Sequence, residues 1–205
     1  FFPPKVEQTF ANWKTPSVID TEAFETAATN SSNSITFVKS TQLPNRAGTV
    51  FSMDVKRSVT LTTATELAEI CGGAIPDGVQ AVAYITKNSV TNSGKNEWTR
   101  ETGAPSIWML GMFKPTPGTT VVIPFKPGDD SELGPIANTG YFGEIPKTRI
   151  KYGKSALFFK GDGRERGKLG IPPKRSMGVA GSWQADSGTL TLISIRPVGN
   201  EASAS

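Results

Sequence analysis

The sequence predicts an all-β protein: a large antiparallel β-sandwich with one short helix. Three observations carry this. Apolar residues alternate in twos along several segments, turn residues recur about every dozen positions, and a single stretch has amphipathic helical spacing. Of 205 residues, 37% are apolar and 20% charged, a globular rather than disordered composition. The 21 glycines and 15 prolines are spread along the chain, where they separate short segments. No internal repeat or linker stands out, so residues 1–205 are expected to form a single β-sandwich domain.

The elements follow in order. Ser34 to Lys39 carries Ile35, Phe37 and Val38. Val50 to Leu61 alternates through Phe51, Met53 and Val55, then Val59 and Leu61, with Asp54, Lys56 and Arg57 between. Thr63 to Ile70 reads as the helix, with Thr63 as cap and Gly72-Gly73 as stop. Val79 to Val90 is expected to put Val79, Ala81, Ala83 and Ile85 on one face. Ser106 to Phe113 and Thr119 to Phe125 are nearly continuous apolar runs, as in central strands covered on both faces. Ala156 to Lys160 and Thr189 to Arg196 complete the set. Asn92-Ser93-Gly94-Lys95 and Asp186-Ser187-Gly188 have hairpin-turn composition. Asp129-Asp130-Ser131-Glu132 reads as a solvated loop, without the ordered ligand spacing of a calcium loop.

Composition excludes several chemistries. Histidine is absent, which removes Ser-His-Asp and Cys-His catalysis and histidine-based metal sites. Any acid–base step must use carboxylates, lysine, tyrosine or groups from outside the chain. The one cysteine, Cys71, excludes an internal disulfide and multi-thiolate metal sites, and is expected to be a small buried hydrophobe. A net charge of +4 permits an anionic partner without demanding one. No dense basic stripe interleaved with aromatics argues for nucleic acid, and no apolar run is long enough for a membrane helix. Phe1-Phe2-Pro3-Pro4-Lys5 reads as an internal start, as in a fragment of a longer chain. Residues 200–205 are expected to be a flexible tail.

Three stretches could carry chemistry. In Trp13 to Glu22, Asp20 and Glu22 stand two apart, so on a strand they share a face beside Trp13. Paired carboxylates can divide acid and base roles, and an indole can stack on the C–H face of a sugar. The competing reading is a solvated loop and a core tryptophan. In Asn96 to Phe113, Glu97 and Glu101 flank Trp98 and Trp108, which suits either a pocket or core packing. In Phe158 to Gly170, Lys160, Asp162, Arg164, Arg166 and Lys168 make a glycine-rich cationic segment. If extended, it puts Asp162, Arg164, Arg166 and Lys168 on one side, where arginine forks could hold a carboxylate or sulfate. It does not match a phosphate-binding loop; the competing reading is an exposed charged hairpin.

These stretches together resemble a bacterial family of unknown function within the galactose-mutarotase-like, super-β-sandwich superfamily. The resemblance rests on Asn12-Trp13, Thr15-Pro16 and Ile19-Asp20-Thr21-Glu22; on Glu101-Thr102-Gly103 with Ser106 to Phe113; and on Thr120 to Phe125 and Tyr141-Phe142-Gly143. It continues through Phe158 to Gly163, Lys168-Leu169-Gly170, Gly181-Ser182-Trp183 and Leu190-Thr191-Leu192. Family members are longer at both ends, so the chain resembles their middle portion. The resemblance implies a super-sandwich fold and a periplasmic or extracellular location. The superfamily includes epimerases and domains of polysaccharide lyases and glycosidases. Val90-Thr91-Asn92 matches the end of the mutarotase strand that precedes a catalytic histidine, but no histidine follows here. Fold therefore carries over and the mutarotase mechanism does not.

The expectation is a carbohydrate-binding or carbohydrate-processing protein with its sugar on a concave sheet face. The candidate catalytic carboxylates are Asp20, Glu22 and Glu101. The candidate substrate-binding residues are Trp13, Trp108, Lys160, Asp162, Arg164 and Lys168. If the protein is an enzyme, epimerisation or lyase-type proton abstraction fits. No cofactor or metal is implied; the partner is a carbohydrate, anionic or neutral. The rival is a structural or interaction module with no small-molecule site.

Overall fold

A computed structural model describes residues 2–28 and 31–195. The expected tail at 200–205 and the end of the last predicted strand, Arg196, lie outside them. The chain is all-β, with antiparallel sheets and few, short helices. It divides into two compact units, Phe1–Leu110 and Gly111–Ser205.

The first unit holds a four-stranded meander, β1 Glu25–Ala27, β2 Ser34–Pro44, β3 Val50–Leu61 and β4 Tyr84–Asn92, each strand beside the next. The β2–β3 hairpin has an unbroken register from Ser34↔Thr60 to Pro44↔Val50. Its turn is closed by Asn45, whose carboxamide oxygen accepts from Thr49 N–H at 2.9 Å. That register separates two chemistries. One face carries hydroxyl pairs across the strands, Ser34 with Thr60 at 2.9 Å and Thr36 with Ser58 at 2.8 Å. The other carries Phe37, Leu43, Phe51, Met53, Val55 and Val59. Phe51 and Met53 are buried there, and Trp98 packs edge-on against Phe51 with ring centroids 6.1 Å apart.

Two expectations for this unit change in detail. β4 begins at Tyr84, not Val79, and Ile85 stands with Lys87 and Ser89 on the hydroxyl face, while Thr86, Asn88 and Val90 share the apolar one. Alternation in the sequence shows the period, but the partner strand decides which phase is covered. Ser106 to Phe113 is not a strand: Trp108, Leu110 and Met112 are all exposed. Gly111 interrupts the run, and Pro105 and Pro115, which have no N–H to give a ladder, flank it.

The helix is as expected. α2, Ala64–Cys71, follows the short turn α1, Ser17–Asp20. Thr63 caps it by accepting from Glu66 N–H at 3.2 Å, while Glu66 accepts from Thr63 N–H at 2.7 Å. Gly72 ends it at φ 74°, a conformation that costs most side chains. Cys71 is exposed at its last position, not buried, on a helix none of whose side chains is buried.

The second unit holds a five-stranded antiparallel sheet in the order β6-β7-β5-β8-β9. The strands are β5 Thr119–Pro124, β6 Ile150–Tyr152, β7 Ala156–Lys160, β8 Val179–Gln184 and β9 Thr189–Ser194. The β8–β9 hairpin turns at the expected Asp186-Ser187-Gly188. Asn92-Ser93-Gly94 instead makes an Asx turn that ends β4, with Gly94 N–H donating to the Asn92 side chain at 2.9 Å. Leu157 is fully buried and Phe125 nearly so; complete burial of such a side chain contributes about 2 kcal/mol.

Two arginines are buried in loops of this unit. Arg175 is 1% exposed. Its guanidinium donates to the carbonyls of Gly134, Lys126 and Gly128 at 2.8–3.0 Å and to Asp130 at 2.6 Å. Asp130 opens the short turn α3, Asp130–Leu133, so the acidic run is an arginine-tied turn rather than a free loop. Arg149 does the same for the loop after β7 and belongs to the site.

Candidate functional site

The first unit gathers five of the predicted site residues. A 3₁₀ turn at Phe10–Asn12 delivers Trp13, which meets Trp108 edge-to-face at 5.8 Å between centroids and 76° between planes. Trp108 comes from the irregular run after Gly103, which is tied to β4 where Asn88 Nδ2 donates to Met109 Sδ at 3.2 Å. An edge-to-face pair occupies one indole face, and Trp108 remains 63% exposed.

The acidic residues lie in different settings. Residues 17–20 form a helical turn, not a strand, so Asp20 ends that turn and Glu22 follows it. Glu22 accepts from Ser17 Oγ at 2.9 Å and from Lys39 Nζ at 3.3 Å. The Ser17 hydrogen bond and then the lysine hold its carboxyl below the usual range. Lys39 Nζ lies 5.2 Å above the Phe24 ring. Glu101 is exposed on a turn closed by mutual hydrogen bonds of Thr99 and Thr102 and pinned to the hairpin by Asn45 Nδ2 donating to Thr102 O at 2.9 Å.

The second unit gathers Lys160, Asp162, Arg164 and Lys168. The segment after β7 is bent, not extended, so these side chains do not share one side. Asp162 is turned inward, with its side chain 1% exposed. Arg149 donates to it at 2.5 Å, and Arg164 N–H donates to the same oxygen at 3.1 Å. Those two contacts hold its carboxyl far below the usual range, with Lys160 Nζ adding attraction from 3.6 Å. Arg149 also donates to Lys160 O at 3.1 Å and to Glu165 at 3.3 Å. Gly163, at φ 72°, reverses the chain, and a Cβ there would meet Pro115 at 2.7 Å. Asp162 thus shapes the loop and has no face left for a ligand. Arg164 points outward, Lys168 lies 4.5 Å over the Tyr141 ring, and Arg166 lies 4.0 Å over Phe142.

The same sheet offers a surface that the sequence reading did not single out. Pairing sets Lys160, Thr120, Trp183 and Leu190 in one row, and Lys151, Phe158, Val122, Gly181 and Leu192 in the next. All lie on one face, because each strand supplies residues two apart. Trp183 is 45% and Phe158 40% exposed. The face therefore runs from cations on β6 and β7, through two aromatics and the Thr120 hydroxyl, to leucines on β9. The signal was present in Phe158-Phe159-Lys160 and Ser182-Trp183-Gln184, but only register shows that Phe158, Lys160 and Trp183 share a face. An open groove of about 470 Å³ lies at the cationic end, lined by Gly118, Thr120, Lys147, Lys151, Phe158 and Lys160 among others.

Among the described residues, no three acidic, cysteine or histidine side chains cluster to hold a metal, and no helix is long and apolar enough to cross a membrane. A family described as being of unknown function (DUF6786) matches the chain over residues 1–203. No curated protein and no solved structure matches it.

Proposed function

The chain belongs to the DUF6786 family, whose function is unknown, and we propose that it is a carbohydrate-binding protein whose sugar lies on the exposed face of the second sheet. One observation carries this reading: Trp183 and Phe158 present rings on the same face as the Thr120 hydroxyl and the amines of Lys151 and Lys160. An indole covers the C–H face of a pyranose, while hydroxyl and amine groups take its polar edge. Glu22 is poorly suited to acid catalysis, because Ser17 and then Lys39 hold its carboxyl below the ordinary carboxylate range. A general acid working near neutrality needs the opposite shift.

The test is titration of a panel of neutral and acidic glycans, read by thermal shift and by tryptophan fluorescence. Trp183→Ala is expected to weaken binding at least tenfold without loss of fold, since Trp183 lies on a solvent-facing row. Trp108→Ala with Glu101→Gln, in the first unit, is expected to leave binding unchanged. The reverse result moves the site to the Trp13–Trp108 pair. No response to any glycan sinks the reading in favour of an interaction module, for which the exposed Leu190 and Leu192 speak. An epimerase- or lyase-type activity, a galactose-mutarotase-like ancestry and a periplasmic or extracellular place extend the same proposal. Motif order supports the last two, and fractionation of native cells checks the location.

A further inference from the structure

We propose that the open groove beside the edge strand β6 is an anion subsite that takes a carboxylate or sulfate ester of the bound glycan. Charge accounting points there. Arg149 and Lys160 face Asp162 and Glu165, and these four form a mutually compensated cluster. Lys147 and Lys151, on the groove's outer wall, are exposed and form no ion pair among the described residues. Among the described residues, no acidic side chain lines the groove. Its field is therefore that of two uncompensated amines, set beside the ring of Phe158, the direct cross-strand partner of Lys151.

The buried cluster gives these amines a fixed base. Arg149 N–H donates to Pro146 O at 2.8 Å, which closes the turn that carries Lys147. Its guanidinium anchors β7 and the loop beyond it, while Lys151 is placed by strand pairing. Arg149 is a positioning residue here, because its fork is already committed. Lys160 lies two strands from Trp183, about 9–10 Å across the sheet. A sugar on Trp183 and an acidic substituent or neighbouring acidic unit in the groove can be held together on that span. The subsite rests on the carbohydrate reading for the identity of its ligand, and its test fails separately from that reading.

Lysines on an edge strand also discourage edge-to-edge pairing, and the experiment separates the two roles. The intact chain and Lys147→Gln with Lys151→Gln are titrated with inorganic sulfate, an acidic glycan, a neutral glycan of the same backbone and single-stranded DNA. The wild type is expected to prefer the acidic over the neutral glycan, with the preference falling as salt rises. The double variant is expected to lose about tenfold in acidic-glycan affinity, and its sulfate binding, while neutral-glycan affinity stays. The subsite is overturned if the variant keeps the acidic preference, or if it aggregates with unchanged anion affinity. DNA binding as tight as the acidic glycan, lost in the same variant, also overturns it in favour of phosphodiester recognition. If sulfate binds through these lysines and no glycan does, the anion site stands and the carbohydrate reading falls.

Discussion

In the first unit the loops are tied by neutral groups and by one solvent-reached ion pair, Glu22 with Lys39, and in the second by buried arginine. Asn45 closes the β2–β3 turn and reaches Thr102, Thr99 and Thr102 close their own turn, and hydroxyl pairs cross the hairpin. In the second unit, Arg175 gathers three backbone carbonyls and Asp130, and Arg149 gathers Lys160 O, Asp162 and Glu165. Neutral ties cost little to desolvate and little to lose, at about 1 kcal/mol each. A buried guanidinium costs much to desolvate and is held only while every donor is satisfied. The second unit should therefore break at single residues, and its acid response should centre on a buried carboxylate, Asp162, whereas the depressed carboxylates of the first unit, Glu22 and Glu66, are exposed.

The largest effect is expected from Arg175→Ala. It leaves the carbonyls of Gly134, Lys126 and Gly128 without their donor and empties a fully buried volume. A loss of about 3–5 kcal/mol follows. Chemical denaturation measures the total, and hydrogen exchange should show the segment from Lys126 to Gly134 opening first. Equal protection there in variant and wild type would show that the guanidinium is not what holds that loop.

Acid probes Asp162. Its carboxyl is held down in the folded state by Arg149 and Arg164 N–H. A depressed carboxylate contributes stability that is fully present above the unfolded value of about 4. That stability is lost as pH falls below about 4 toward the folded value. Amides of residues 160–166 should lose protection in that window, while those paired between Ile35 and Val59 should not. Asp162→Asn should lower Tm at neutral pH and remove the acid response of that loop. An unchanged acid profile in Asp162→Asn would assign the response to another group.

How far this was legible follows from the same contrast. Strands β3 and β7 and the β8–β9 turn were readable residue by residue, because period and turn chemistry are local. Helix α2 was readable for the same reason: Thr63, Glu66 and Gly72 each act within one turn of it. The arginine ties were not. Arg149 meets Asp162 across 13 positions, and Arg175 reaches Lys126 across 49, from irregular backbone with no period to mark them. The cationic segment stands out in the sequence, but its inward and outward sides depend on Arg149 and on the reversal at Gly163. The apolar run at Ser106 to Phe113 shows the converse error. Hydrophobicity alone suggested a covered strand, yet among the described residues no strand pairs with it. The row from Lys160 to Trp183 needed β5 between them, a register that no single segment contains.

The smallest effect tests the local, exposed half of the comparison. Thr63 and Glu66 satisfy each other's backbone N–H groups at the start of α2. The helix has eight residues and no buried side chain, so packing does little to hold it and the cap carries more of its stability. Thr63→Ala should cost about 1 kcal/mol. Because the tie is local, the loss should be confined to the amides of Ala64 to Cys71, with β2 and β3 as protected as before. Thr63→Ser should restore most of it, since the hydroxyl and not the methyl accepts from Glu66 N–H. A loss that spread into the hairpin would mean that α2 is coupled to the sheet through more than its cap, and the separation between exposed local ties and buried ionic ones would no longer hold for the first unit.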